Sequence, residues 1–291
     1  MRVLLTGAGG QLGLDLLDAF VRDEVAAFTR AELDVADEAA VAAAVGEVAP
    51  DLVVNAAAWT DVDGCEQDPD RAHRVNALGP WWLARACGRV GATLVTVSTD
   101  YVFSGTPGRG PDGRLRGWNE FDQPQPGNVY GRSKAAGEAL VRQTLPAHHI
   151  VRTAWLCGAR GENFVRTMLR LGRERDELAV VDDEVGSPTF TRDLAVGIRR
   201  LAVSGRYGTA HLVNRGRCSR HQLACAALEL AGIEVPVRAV GSDAFVRPAP
   251  RPSFSVLDTQ HTTLAGVPPL PHWQDGLAAM LAELGATEPP A

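Results

Sequence analysis

The stretch Arg2-Val3-Leu4-Leu5-Thr6-Gly7-Ala8-Gly9-Gly10-Gln11-Leu12-Gly13 decides the fold. Its apolar start predicts a buried strand, and Gly7, Gly10 and Gly13 predict a tight turn into a helix. Such a turn lets a pyrophosphate approach the backbone, and the helix N-terminus offers it free N–H groups. The glycines alone also fit a plain strand–helix turn. Their position at the first strand–helix junction favours a dinucleotide site that includes Gln11 and Leu12.

Short apolar runs alternate with helical stretches through the first half of the chain. Strands are predicted at 2–6, 25–28, 51–55 and 93–98, and helices at 11–22, 38–48 and 70–90. In the less regular second half, helices are predicted near 163–175, 191–203, 220–231 and 273–284. Uninterrupted apolar strands alternating with helices indicate an α/β fold with a Rossmann-type, doubly wound parallel sheet.

We expect this sheet to belong to an NAD(P)-binding domain, with a smaller α/β substrate-binding domain capping it. The first would contain 1–150 and returning segments at about 180–215 and 250–272. The second would contain about 151–179, 216–249 and 273–291. A Gly-, Pro-, Arg- and Asp-rich loop at 104–128 precedes the second half, and loops of that length are often functional.

Composition excludes several function classes. The 291 residues carry a formal net charge of -6, which argues against a nucleic-acid or anionic-membrane partner. No apolar run approaches the length of a membrane span. The five cysteines are scattered, which is typical of reduced thiols in the cytoplasm. The seven histidines form no metal-binding pair, so no metal site is predicted.

The end of the second predicted strand bears on which nicotinamide is used. An acidic residue there usually binds the ribose of NAD. Here Arg30 could pair with the 2′-phosphate of NADPH, whereas Glu32 keeps NADH as the alternative. The small residues of 55–58 (Asn55, Ala56, Ala57 and Ala58) fit either a cofactor crossing the strand ends or ordinary alanine packing.

The proton chemistry is predicted at Tyr130 and Lys134, four residues apart on one helical face. Reducing a ketone with hydride leaves an alkoxide that an acid must protonate, and a nearby cation makes a phenol a better acid. Thr99 ends the fourth strand, at the sheet edge where such folds bind ligands, and could hold the carbonyl oxygen. A Tyr and a Lys four residues apart are common by chance. The glycine turn and Thr99 are what favour a catalytic role for this pair.

These residues resemble the extended short-chain dehydrogenase/reductase family and, within it, the dTDP-4-dehydrorhamnose reductases. The resemblance covers nearly the whole chain, and its most specific runs are Ser98-Thr99-Asp100-Tyr101-Val102-Phe103, Asn163-Phe164-Val165-x-Thr167-Met168 and Arg251-Pro252-x-x-Ser255. It implies reduction of dTDP-4-dehydro-L-rhamnose to dTDP-L-rhamnose. A dTDP-sugar would be the substrate partner.

The resemblance also assigns roles to individual residues. Thr99, Tyr130 and Lys134 match the family's catalytic triad, Tyr130 and Lys134 also facing the nicotinamide ribose. The remaining assignments are Asp34 and Val35 beside the adenine, Asn76 at the cofactor, and Asp100, Tyr101, Trp155, Asn163, Arg251 and Ser255 in the substrate pocket.

At three positions expected on the substrate side, the chain departs from the residues that are usual in the family: Trp59, Glu184 and Phe254. They leave open a reductase for a different nucleotide-linked ketodeoxysugar. A non-catalytic nucleotide-binding regulatory subunit is a further alternative, which the intact triad disfavours. Some family members form a Mg²⁺-bridged homodimer; Asp15 could be one such ligand, although one carboxylate is equally a solvated helix residue.

Overall fold

In a computed structural model, residues 1–105, 107–110, 113 and 115–285 of the chain are described. The strands in chain order are β1 (Arg2–Thr6), β2 (Glu24–Phe28), β3 (Leu52–Asn55), β4 (Thr93–Thr99), β5 (His148–Thr153), β6 (Leu156–Cys157), β7 (Leu178–Val181), β8 (Val185–Gly186), β9 (Thr189–Phe190), β10 (Gly208–His211), β11 (Cys218–Ser219) and β12 (Val237–Val240). The helices are α1 (Gln11–Ala19), α2 (Glu38–Val48), α3 (Val62–Gln67), α4 (Pro69–His73), α5 (Gly79–Val90), α6 (Val129–Thr144), α7 (Phe164–Glu174), α8 (Thr191–Ala202), α9 (Arg220–Leu230), α10 (Gln260–Leu264) and α11 (Trp273–Glu283).

Six parallel strands form the central sheet in the order β2-β1-β3-β4-β5-β10. Helices α1 and α8 cover one face, and α2, α5 and α6 cover the other. The predicted doubly wound α/β fold is confirmed. Strand order reverses between β1 and β3, and ligands of such sheets bind in the crevice beyond that reversal.

The second half contributes to this sheet and also builds a smaller layer beside it. Strand β10 extends the sheet and α8 packs on α1. A separate core joins α7, α9 and α11, and β7 pairs with β12 over α9. Of the predicted 273–291 segment, 286–291 lies outside the described residues.

Some element bounds differ from those predicted. The helix expected at 70–90 is α4, then a π-helical turn at Arg74–Leu78, then α5. Helix α1 ends at Ala19 rather than at Arg22, because the chain turns at Phe20 to begin β2. In the described part of the chain, no helix is both long and apolar enough to cross a bilayer.

The described residues of the 104–128 loop pack on the second half of the chain. The Trp118 ring stacks on Phe103, with centroids 4.7 Å apart. The Trp118 backbone N–H donates to the carbonyl oxygen of Val256 at 2.8 Å. Trp118 therefore joins this part of the loop to Phe103 and to the second half of the chain.

Candidate active site

The glycine turn presses directly on the neighbouring strand end. Gly7 has a φ of +72°, and a Cβ atom there would lie 2.7 Å from backbone atoms of Ala56 and Ala57. A side chain at Gly13 would clash with the carbonyl oxygen of Gly7. The N-cap residue of α1, Gly10, makes no side-chain cap, so the first N–H groups of the helix remain available to an anion.

A cavity of about 290 Å³ continues from this turn across the ends of β1, β2 and β3. The predicted cofactor residues that line it are Gly7, Gly10, Arg30, Asp34, Val35, Ala56, Ala57 and Ala58. Trp59 and Arg71 also line it, with the Arg71 guanidinium 4.3 Å over the Trp59 ring. The small side chains at the end of β3 therefore border open space.

Two buried amides hold the 55–59 segment in place. The Asn55 side chain accepts from Thr6 Oγ1 at 2.7 Å and donates to Thr96 Oγ1 at 3.1 Å. The Asn76 side chain accepts from the Trp59 N–H at 2.9 Å and donates to the Trp59 carbonyl oxygen at 3.0 Å. Both amides are occupied by protein groups, and neither is among the residues that line the cavity.

A larger cavity of about 470 Å³ brings the two ends of the site together. Gly10, Gln11, Leu12 and Gly13 line it on one side, and Thr99, Asp100, Tyr101, Tyr130, Lys134 and Trp155 on the other. Residues far apart in sequence meet here because β4 and β5 end at the same sheet edge as β1.

Helix α6 carries Tyr130 and Lys134 into this cavity from its first two turns. The Asn128 side chain caps the helix by accepting from the Gly131 N–H at 2.8 Å. Gly131 has no room for a side chain, because a Cβ atom would clash with the Tyr101 carbonyl oxygen. This contact brings α6 against the end of β4, with Tyr130 beside Thr99.

Tyr130 is protonated at physiological pH. Burial raises the pKa of its phenol well above the usual value, and Asp100 adds to the rise; the hydrogen bond with Thr99 opposes both. The lowering expected from a nearby cation is therefore not seen in this structure, where the Lys134 ammonium donates to the Val97 carbonyl oxygen instead. Its ring meets that of Tyr101 edge-on, with centroids 5.6 Å apart. A buried, protonated phenol hydrogen-bonded to Thr99 is arranged to give a proton to an oxygen in the cavity.

Lys134 is also buried, and its ammonium donates to the Val97 carbonyl oxygen at 2.7 Å. Burial lowers its pKa to about 8, with Glu138 opposing the fall. Burial raises the pKa of Asp100 to about 6, although hydrogen bonds from Ser255 and Thr99 lower it. The site therefore contains several groups whose pKa values are shifted because they are buried away from water.

The predicted substrate residues fall into two groups. Trp155 lines the large cavity from a strained backbone, with a φ of +46°. Asn163 caps α7 and donates to the Gly158 carbonyl oxygen at 2.8 Å. Arg251 is paired with Asp63 by two hydrogen bonds of 2.9 and 3.1 Å, and Ser255 is buried behind Asp100. Asn163, Arg251 and Ser255 thus support the walls and are not among the lining residues.

Sequence reasoning missed several residues that line the large cavity: Thr60, Val62, Val97, Ser98, Thr153, Ala154, Leu156, Cys157, Phe164 and Arg220. Arg220 is the charged residue among them. It opens α9, and its guanidinium lies 3.5 Å over the Trp155 ring. No local motif marks it, because its place in the cavity depends on how the second half packs.

The predicted Mg²⁺ candidate Asp15 faces a cation that the chain itself supplies. Asp15 is buried, and its carboxylate pairs with the Arg160 guanidinium, as does that of Asp18. Within the described residues, Asp15 belongs to no group of three or more potential metal ligands. These surroundings do not fit a resident divalent ion, because the Arg160 guanidinium already pairs with both carboxylates.

The sequence profile of the RmlD substrate binding domain family matches residues 1–286. The chain belongs to the RmlD family. The dTDP-4-dehydrorhamnose reductase of Mycobacterium tuberculosis (strain ATCC 25618 / H37Rv) is 44% identical to this RmlD chain, over 97% of the chain and 92% of that protein. The dTDP-4-keto-6-deoxy-D-glucose reductase of Streptomyces niveus is 39% identical, over 99% of each.

Solved structures agree with these matches. The crystal structure of dTDP-4-dehydrorhamnose reductase from Bacillus anthracis, in complex with NADP, is 40% identical to this RmlD chain. It superposes with a TM-score of 0.91 over 97% of this chain and 99% of that one. The family resemblance expected from the sequence motifs is confirmed.

Proposed function

We propose that the chain is an NADPH-dependent oxidoreductase that reduces the 4-keto group of dTDP-4-dehydro-L-rhamnose to give dTDP-L-rhamnose. The observation that carries this proposal is one cavity in which Thr99, Tyr130 and Lys134 face the glycine turn. The M. tuberculosis and B. anthracis relatives carry the same activity in their names, which supports the choice of substrate.

When bound, the nicotinamide supplies a hydride to the carbonyl carbon. Thr99 would hold the carbonyl oxygen, and Tyr130 would donate its proton to that oxygen as negative charge develops on it. The Lys134 ammonium would stabilise the resulting phenolate and hold the ribose hydroxyls. Burial of these side chains excludes water, which strengthens each interaction.

NADPH is the proposed cofactor because Arg30 lines the cavity beside Asp34 and Val35, where a 2′-phosphate would need a cation. Glu32 is not positioned to bind the ribose of NADH. Its carboxylate accepts hydrogen bonds from the Thr29 N–H and hydroxyl at 2.7 and 2.8 Å. NADH remains the alternative to be compared with it. The B. anthracis relative was solved with NADP.

A second candidate is reduction of a different dTDP-linked ketodeoxysugar. The S. niveus relative, a dTDP-4-keto-6-deoxy-D-glucose reductase, favours it. We also propose that the enzyme works in the cytoplasm, since the cysteines are free thiols. A homodimer stays a prediction.

The deciding experiment follows oxidation of NADPH and NADH by absorbance, with dTDP-4-dehydrorhamnose and with other dTDP-4-ketosugars. Tyr130→Phe should lower turnover by about 10²–10⁴-fold, because it removes the proton donor, and leave cofactor affinity unchanged. Tyr207→Phe, at an exposed position, is the matched control. A fully active Tyr130→Phe enzyme would refute the assignment, and oxidation with another sugar alone would favour the second candidate.

A further inference from the structure

Among the described residues, the large cavity is lined by three charged side chains: Asp100, Lys134 and Arg220. Asp100 is an acid, and the Lys134 ammonium already donates to the Val97 carbonyl oxygen. Arg220 is therefore the cation that this cavity offers to an anionic part of a ligand. The proposed proton chemistry makes no use of it.

Aromatic side chains hold the Arg220 guanidinium in a fixed plane. Its Cζ atom lies 3.5 Å over the Trp155 ring and 5.2 Å from the centre of the Phe164 ring. The residue is the first of α9 and lies within the capping box formed by Ser219 and Gln222, which fixes its backbone. A planar group stacked in this way loses little freedom when it binds a ligand.

The N–H groups of Arg220 are not used up by a protein carboxylate. Glu184 Oε2 lies 4.0 Å from its Nε atom, too far for a hydrogen bond. The other oxygen of Glu184 lies 3.5 Å from Arg247, so two guanidinium groups share one carboxylate. Arg251, by contrast, makes two hydrogen bonds to Asp63. In the described part of the chain, neither Glu184 nor Asp100 makes a hydrogen bond to the Arg220 guanidinium, so its N–H groups remain available to a ligand.

We propose that Arg220 binds the diphosphate of the nucleotide sugar and thereby sets the position of the sugar over Tyr130. This inference rests on the proposed function. In a nucleoside-diphosphate sugar, the reacting C4 atom and the phosphate-bearing C1 atom lie on opposite sides of one pyranose ring. Arg220 lines the same cavity as Tyr130, at the end where Trp155 lies.

The chemistry of arginine suits this role. Its flat fork of N–H groups matches two phosphate oxygens at once, whereas a lysine presents a single point charge. Stacking on Trp155 also requires a flat cation. Arg220→Lys should therefore recover only part of the affinity that Arg220→Met loses.

The test is calorimetric titration with the enzyme saturated with NADP⁺, so that the cofactor end is filled. The probes are dTDP and thymidine. Arg220→Met should weaken dTDP binding about 10- to 100-fold, whereas thymidine and NADP⁺ binding should not change. Arg170→Met is the matched control, because this exposed arginine pairs with Glu174 on the surface of α7.

Equal dTDP affinity in Arg220→Met and the unaltered enzyme would overturn the inference and leave the proposed function standing. No dTDP binding by the unaltered enzyme would overturn both. If Arg220→Met fails to fold, Arg220→Lys decides: an intermediate loss for dTDP alone supports the inference, and unchanged affinity overturns it.

Discussion

At the scale of residues, the site depends on groups whose ionisation is shifted by burial. Tyr130 stays protonated because burial disfavours the charged phenolate, and burial likewise lowers the pKa of Lys134 to about 8. The sequence indicated both residues through their spacing taken together with the glycine turn and Thr99. It could not indicate Arg220, whose role follows from a stack on Trp155 that only tertiary packing creates.

We expect turnover to fall as the pH rises through about 8. A depressed lysine pKa means that Lys134 is an ammonium below about 8 and neutral above it, and the proposed mechanism requires the ammonium. Tyr130 cannot cause this limb, since its pKa lies far higher. The measurement is a pH profile of turnover for the unaltered enzyme and for Lys134→Arg, which keeps its charge. An alkaline limb that stays at the same pH in Lys134→Arg would contradict the assignment.

At the scale of elements, the first four strands and most helices follow from hydrophobic patterning, because both faces of the sheet are covered. The π-helical turn at Arg74–Leu78 did not follow from it. This turn places Asn76 against the Trp59 backbone and Ser133, contacts made with distant segments. Helix periodicity describes the face a helix buries, and it contains no information on such an insertion.

Gly186, in the short strand β8, packs directly against the ring of Trp155. A Cβ atom at Gly186 would clash with the indole ring, so Gly186→Ala should displace Trp155 and lower kcat/KM for the sugar about 10- to 100-fold. Cofactor affinity should not change. The control is Gly46→Ala on α2, where nothing lies within 4 Å of the added atom. Steady-state kinetics with varied sugar and varied NADPH separate the two effects; unchanged sugar kinetics would show that the indole position is unimportant.

At the scale of the whole molecule, the alternation of strands and helices predicted the doubly wound sheet, since this topology follows from local patterning. The second half was harder to predict. Its strands are short, and β7 pairs with β12 from nearly sixty residues away. Ionic contacts join the two halves, among them that of Arg160, just before α7, with Asp15 and Asp18 of α1.

We expect activity to be unaffected by chelators, because Arg160 supplies the positive charge that Asp15 and Asp18 require. Arg160→Met should lower the free energy of unfolding by about 1–2 kcal/mol, since it leaves Asp15 buried without its partner. Added Mg²⁺ should then restore part of the loss in the variant alone. Thermal unfolding with and without Mg²⁺, beside activity after EDTA treatment, checks this; loss of activity in the treated unaltered enzyme would contradict it.

Position 131 would appear intolerant to substitution for a steric reason rather than a chemical one. It lies between Tyr130 and Lys134 and faces the Tyr101 carbonyl oxygen, with no space for even a methyl group. A saturation library scored for growth or activity would rank position 131 beside its catalytic neighbours. The intolerance there would report steric fit between α6 and β4. Separating such positions from chemical ones requires measuring folded yield together with turnover.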